Sequence, residues 1–244
     1  MVDRKVFITD SVTISESLGV QRRHYLASDH LLAASMSSRS CSEYEMRNSG
    51  KGLNRIHRTH AMTTVMSSVA FLESLVNEIY QDSAEGVPGI VDPLPSECRQ
   101  MLAEFWKSQG QANLVLKSQM ALLFAGKPKI EMGNGVGQEL GLLIAWRNAL
   151  IHYKPEWHGD EQPTKLEQRL SGRFPRSRLV PENSPDAWPL WALGAGGAAW
   201  SIRVARDFAD EWTARLGVSP PYLAEITDAI ARRAHVPGAE PSDG

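Results

Sequence analysis

Between residues 147 and 153 the chain reads Arg-Asn-Ala-Leu-Ile-His-Tyr, and Lys154-Pro155 follows at once. These side chains suit phosphate chemistry. Arg147 offers a permanent planar cation whose fork of donors matches phosphate oxygens. His152 is the one type whose ordinary pKa lets it give or take a proton near neutrality. Asn148 supplies a short amide that can orient either partner. Pro155 disfavours helical geometry at Lys154, so a helix carrying this string is predicted to stop there. His152 then lies in the last turn, at the negative end of the dipole. At about 100° per residue, Asn148 and His152 are roughly 40° apart and share a face, whereas Arg147 and His152 are about 140° apart. A long arginine side chain can still curl towards a phosphate held across the helix end. The plainer alternative is an exposed terminus whose cations only complement the dipole.

A second polar set precedes it. Within the helical pattern Phe71–Tyr80, residues Glu73, Asn77 and Tyr80 fall at i, i+4 and i+7 on an otherwise apolar segment. A carboxylate drawn into a protein needs a partner, and Arg147 is the expected one if the two helices pack together. The alternative is a strip that faces only water. A third set is basic. Beyond Lys154, the residues Lys165, Arg169, Arg173, Arg176 and Arg178 gather in a proline-punctuated stretch, 155–187, expected to be a long insertion. Such cations beside a phosphate-handling site are RNA-backbone contacts; a solvated, partly helical surface loop is the alternative.

Other chemistry is thinly represented. His57 and His60 stand three apart, but a zinc site takes three or four ligands and no third one shows at a suitable spacing. The chain holds no Glu-x-x-His sequence for a di-metal carboxylate bundle. Neither metal nor cofactor is expected. The glycines at 133, 135 and 137, and those of Gly194-Ala195-Gly196-Gly197, lack the strand and lysine of a phosphate loop, so close helix packing is the expected reason for both. Cys41 and Cys98 form no redox or metal spacing and fit reduced thiols.

Helices must position these groups. A chain of 244 residues with 42% hydrophobic content can bury one substantial core. Its formal net charge of -2 excludes a globally basic nucleic-acid coat and leaves only a local patch for RNA. The amino terminus lacks the apolar run of a signal peptide, and the most apolar tract, 188–200, is too short to span a membrane. A cytoplasmic protein without membrane contact is expected. Residues 1–20 read as a short strand or irregular arm, 21–35 as a modest helix, and the Ser-rich stretch 37–52 as a loop. A long helix is predicted over 54–83, with Val69, Leu72, Leu75, Val76 and Ile79 forming its apolar stripe. Further helices are predicted around 102–106, over 114–125, 138–154 and 197–216, and a last one over 221–234 before a disordered tail. The fold class is all-α, an up-and-down bundle. Its divisions are an arm and short helix at 1–53, the bundle at 54–216 with its insertion, and a terminal helix and tail at 217–244.

Three stretches together resemble the HEPN superfamily, specifically its larger bacterial members: Phe-Leu-Glu-x3-Asn-Glu-x-Tyr at 71–80, Arg-Asn-x3-His-Tyr at 147–153 and Ala-Trp-Ser-x5-Asp-Phe at 199–208. The sharp element is R-x4-H with a polar residue after the arginine. The resemblance implies a helical bundle that dimerises and brings two R-x4-H motifs to one cleft. For active members it implies metal-independent endoribonuclease action, in toxin–antitoxin or phage-defence settings with an antitoxin or defence-system partner. Some HEPN toxins are modified with AMP on a tyrosine two residues beyond the histidine; here Tyr153 follows His152 directly and position 154 is lysine.

Two functions from different classes follow. In the first, one His152 of a dimer takes the 2′-OH proton and the other protonates the 5′-oxygen, leaving 2′,3′-cyclic phosphate ends. Arg147 stabilises the charged phosphorane, Asn148 orients His152 or a phosphate oxygen, and Glu73, Asn77, Tyr80 and Tyr153 support the site. In the second, the protein is a non-catalytic HEPN-like dimer for interaction or sensing. An Arg147–Glu73 ion pair that buries the arginine away from any cleft favours the second, and an open cleft lined by Arg147, Asn148 and His152 favours the first.

Overall fold

The computed structural model describes residues 11–14, 20–49, 52, 54–154, 163–181, 188–220 and 222. The predicted helix over 221–234 and the tail after it lie outside these, Tyr222 apart. The described residues are all-α except for one amino-terminal hairpin. In it, β1 (Ser11–Ile14) pairs antiparallel with β2 (Val20–Arg23), so that Ser11 faces Arg23 and Ile14 faces Val20.

The long helix α2 (Arg55–Glu85) is the spine of the fold. It runs without Gly or Pro, starts where the Asn54 side chain accepts from the His57 N–H, and ends at the left-handed Gly86. Its predicted stripe is buried: Val69, Leu72, Leu75, Val76 and Ile79 are all but inaccessible to water. Against it pack α1 (Ala27–Asn48), α3 (Ser96–Gln109), α4 (Leu114–Phe124), α5 (Gly135–Ile151) and α7 (Ala195–Leu216).

One expectation is overturned along α1. The Ser-rich segment 37–52 is helical as far as Asn48 rather than a loop. Serine has only middling helix propensity, and packing overrides it. Leu31, Ala34, Cys41 and Glu45 all turn inward, and small residues between them let α1 lie close along α2.

The described part of the expected insertion, 163–181, is a partly helical surface segment, exposed over most of its length but anchored in the core by a few side chains. It carries the short α6 (Lys165–Leu170) and buries Leu170, Phe174 and Leu179. Phe174 stacks on Trp146 of α5 with ring centroids 5.5 Å apart, and Trp191 Nε1 donates to Glu167 at 3.1 Å. Close packing, expected of both glycine runs, holds at the start of α7 and at Gly137, whereas a methyl group on Gly133 or Gly135 would meet nothing within 4 Å. A methyl group on Gly197 would stand 2.2 Å from the Ala192 carbonyl and 2.7 Å from the Trp146 ring. Among the described residues, no helix is long and apolar enough to cross a membrane.

Candidate functional site

Where α2, α4 and α5 converge, the surface opens into a groove of about 1200 Å³. That exceeds the usual size of a small-molecule pocket. Helix α2 contributes Glu73 and Asn77, α4 its first turn with Lys117, and α5 Ile144, Arg147 and Asn148. Among the described residues lining it, Lys117, Lys129 and Arg147 are cations and only Glu73 is an anion, although the whole chain is slightly acidic. The groove is a local basic patch.

The polar strip on α2 is the organising element here. Glu73 accepts from Arg147 Nη2 at 2.6 Å, the pairing expected from burial. Arg147 is held without being enclosed: its side chain keeps 22% exposure and it lines the groove. Its Nε is buried with no hydrogen-bond partner and is closed to a ligand, whereas the guanidinium carries five N–H donors in all and the one contact to Glu73 uses only one of them. Asn77 accepts through Oδ1 from the ammonium of Lys117. Tyr80 is fully buried beneath, where its hydroxyl donates to the Lys117 carbonyl at 2.8 Å. The strip therefore does not face water alone. It links α5 and α4 through one helix face.

Lys117 was not singled out from the sequence. It is buried on α4, its Nζ lies 5.3 Å from the Trp106 ring centre, and it also reaches the Gly110 carbonyl at 3.3 Å. Burial holds its ammonium below the ordinary lysine pKa, and the nearby Glu73 carboxylate opposes that shift. The signal was present: Leu-Val-Leu-Lys-Ser-Gln-Met-Ala-Leu-Leu-Phe places one cation inside a strongly apolar helix. A charge there must have partners.

His152 caps α5, its backbone N–H donating to the Asn148 carbonyl at 2.9 Å, so the helix ends at Ile151, three residues short of the stop expected at Lys154, and His152 stands just past its last turn. Its side chain is exposed, and so are Asn148, Ile151, Tyr153 and Lys154. Arg147 and Asn148 line the groove, whereas His152 lies one turn beyond Asn148 and is not part of its wall. This follows from the 140° between the arginine and histidine positions on a helix. The basic set 165–178 is not brought to this groove. Arg173 pairs with Glu139, and Arg176 lies 5.5 Å from the Trp191 ring centre beside a different cleft; Lys165, Arg169 and Arg178 are exposed on the same segment.

His57 and His60 do not share a site in the way their spacing allowed. His57 is fully buried and meets two groups from α1, with Nε2 3.0 Å from Glu45 Oε1 and 3.3 Å from Cys41 Sγ. These three ligand-type atoms lie within 4.8 Å of one another, and they are the residues that could hold a metal. Sequence spacing missed the set because α1, expected to stop short, carries two of its members. The geometry is that of a hydrogen-bonded lock. Glu45 Oε1 also accepts from Ser177 Oγ and from the Ala195 N–H, each at 2.9 Å, and so joins α1 and α2 to the start of α7. His57 Nδ1 has no partner, where a metal-bound histidine would normally donate from its other nitrogen. Burial pushes the Glu45 carboxyl up, but the bonds from His57, Ala195 and Ser177 outweigh it and hold the group below the usual range. Comparison of the chain with family models, curated proteins and solved structures finds no match.

Proposed function

We propose that this chain is a metal-independent endoribonuclease of the HEPN type that works as a homodimer. The observation that carries the reading is Arg147 itself. Ion-paired to Glu73 yet lining an open basic groove, it presents a partly exposed guanidinium within a helical turn or so of an exposed histidine. A phosphodiester along the groove and across the end of α5 meets the arginine first and the imidazole of His152 next.

The chemistry then needs two proton-transfer groups. The 2′-oxygen forms a bond to phosphorus while the bond from phosphorus to the 5′-oxygen breaks, giving a 2′,3′-cyclic phosphate. One His152 accepts the 2′-OH proton as the bond forms. The His152 of a second copy gives a proton to the departing 5′-oxygen. Arg147 donates to the non-bridging oxygens as their charge grows, an electrostatic contribution that is commonly the largest single one. Asn148, on the same face as His152, orients the imidazole or a phosphate oxygen. The exposed Ile151 and Tyr153 beside His152 give a second copy apolar surface to cover.

One observation favours a second reading, a non-catalytic dimer used for interaction or sensing. The Arg147–Glu73 ion pair is short and would also serve to fasten α5 to α2. Substrate tests separate the two. Incubation with mixed-sequence RNA in EDTA gives cleavage if the protein is the ribonuclease, whereas DNA of the same sequence, lacking the 2′-OH, stays intact. Loss of activity in EDTA, or equal cutting of DNA, contradicts the mechanism.

A further inference from the structure

We propose that Lys117 and Arg147 form a two-cation phosphate clamp in the groove, with the Glu73 carboxylate as the internal anion that an incoming phosphodiester displaces. The inference takes its ligand class, a single-stranded RNA backbone, from the ribonuclease reading. It adds a residue outside the R-x4-H string, the one that would hold a phosphate next to the one being cleaved.

Four observations converge on it. Lys117 is 94% buried by exposure of the whole residue (6% remains), yet it lines the groove rather than the core. A lysine is rarely so buried without a partner. Its partners are neutral oxygens, Asn77 Oδ1 and the Gly110 carbonyl, and it lies near the Trp106 ring, so no carboxylate among the described residues contacts it directly. An ammonium has three donors, and these two acceptors leave one for a ligand. Second, Arg147 commits Nη2 to Glu73 while its side chain keeps 22% exposure on the groove wall. Third, Glu73 acts on both cations: it bonds to Arg147 and is the charge that opposes the desolvation of Lys117. One carboxylate thus stands where a phosphate with more acceptor oxygens would satisfy both. Fourth, the first turn of the 11-residue α4 lines the same groove, and the positive end of its dipole adds to the field felt by an anion.

The Trp106 ring gives the clamp rigidity. It stacks near Tyr80 at 5.9 Å between ring centres, and its Nε1 donates to Gln81. The Lys117 ammonium is therefore held by a packed aromatic, an amide and a carbonyl, so little side-chain freedom remains to be lost when a phosphate binds.

The test measures binding of a fluorescent 2′-O-methyl oligoribonucleotide, which cannot be cleaved by 2′-OH attack, at a series of KCl concentrations. Wild type, Lys117→Met, Lys117→Arg and Glu73→Gln are compared as full-length chains. Loss of one phosphate contact on a single strand lowers the salt slope by about 0.7. Lys117→Met is expected to show that drop and to bind roughly tenfold more weakly at low salt, the scale of one hydrogen bond to a charged group. Lys117→Arg keeps the wild-type slope. Glu73→Gln binds more tightly than wild type because the competing anion is gone, and this outcome does not depend on how well the lysine variants fold. An unchanged slope in Lys117→Met, weaker binding by Glu73→Gln, or no binding by the wild type overturns the clamp. Because the probe is uncleavable, a clamp can pass this test while RNA cleavage fails, and cleavage can occur while the clamp fails.

Discussion

Arg147 on α5 and Glu73 on α2, 74 residues apart in sequence, meet at 2.6 Å on the wall of an open groove. Both are partly exposed, so the pair contributes only about 0.2–1 kcal/mol to folding. Its larger effect is on where the guanidinium points. Glu73→Gln is expected to change the melting temperature by no more than roughly 4 °C. In a single-turnover assay at saturating protein the same variant cuts RNA about as fast as wild type, because the bound phosphodiester has taken the place of Glu73 on Arg147. Much slower cutting by the variant at saturation would show that Glu73 still holds the arginine in the bound state and would contradict this assignment.

Tyr80 ties α2 to α4 by donating to the Lys117 carbonyl. As a residue inside α4 that carbonyl keeps its helical partner, so Tyr80→Phe does not orphan it. The substitution should cost about 1 kcal/mol in urea denaturation, the typical net value of one hydrogen bond. A loss above about 3 kcal/mol would mean that the hydroxyl does more than this single bond, since that figure belongs to buried groups left unsatisfied.

The Glu45 lock makes stability depend on acid. Its carboxyl is held below the ordinary glutamate value in the folded protein. The folded state therefore binds its proton less readily than the unfolded chain, which titrates near about 4.3. The stabilisation is fully present above that value and is lost as pH falls through the lower folded one. His57→Ala leaves the buried carboxylate short of one donor and should cost about 3 kcal/mol at neutral pH. Denaturation curves across the acid range check both: the variant's deficit should shrink as pH falls, and a deficit independent of pH would contradict the lock.

Burial, then Glu45, pushes the Cys41 thiol up to about 12, and burial also raises Cys98. Neither forms thiolate at neutral pH, and both are out of contact with water. A thiol reagent should leave the native protein unmodified and titrate both cysteines once denaturant is added. Rapid labelling of Cys41 in native buffer would show that α1 opens readily from α2, and rapid labelling of Cys98 that α3 does.

Much of this was legible in the chain. The α2 stripe, the stop imposed by Pro155 and the packing role of Gly197 come from periodicity, proline geometry and the lack of a side chain, all local properties. The Glu73–Arg147 pairing was legible because a carboxylate on an apolar helix needs a cation. Less local features were hidden. Serines in α1 read as a loop because propensity carries no information about the helix they pack on. The Cys41–Glu45–His57 cluster was hidden by the same misreading, since two of its members lie on the stretch of α1 read as a loop. The basic residues at 165–178 looked like neighbours of the R-x4-H string because they follow it in sequence, yet Phe174 and Leu170 anchor that segment against another face. Lys117 was readable only as an oddity, one charge in an apolar helix, whose groove partners come from α2 and from the turn before α4.

The central claim is that Arg147 and His152 form a ribonuclease site. It is tested most directly by end-group analysis of a labelled RNA incubated in EDTA with wild-type protein and with His152→Ala. The account predicts 2′,3′-cyclic phosphate ends from the wild type and none from the variant, with both proteins melting alike because His152 is exposed. Equal cleavage by the two, or intact RNA with both, would contradict it.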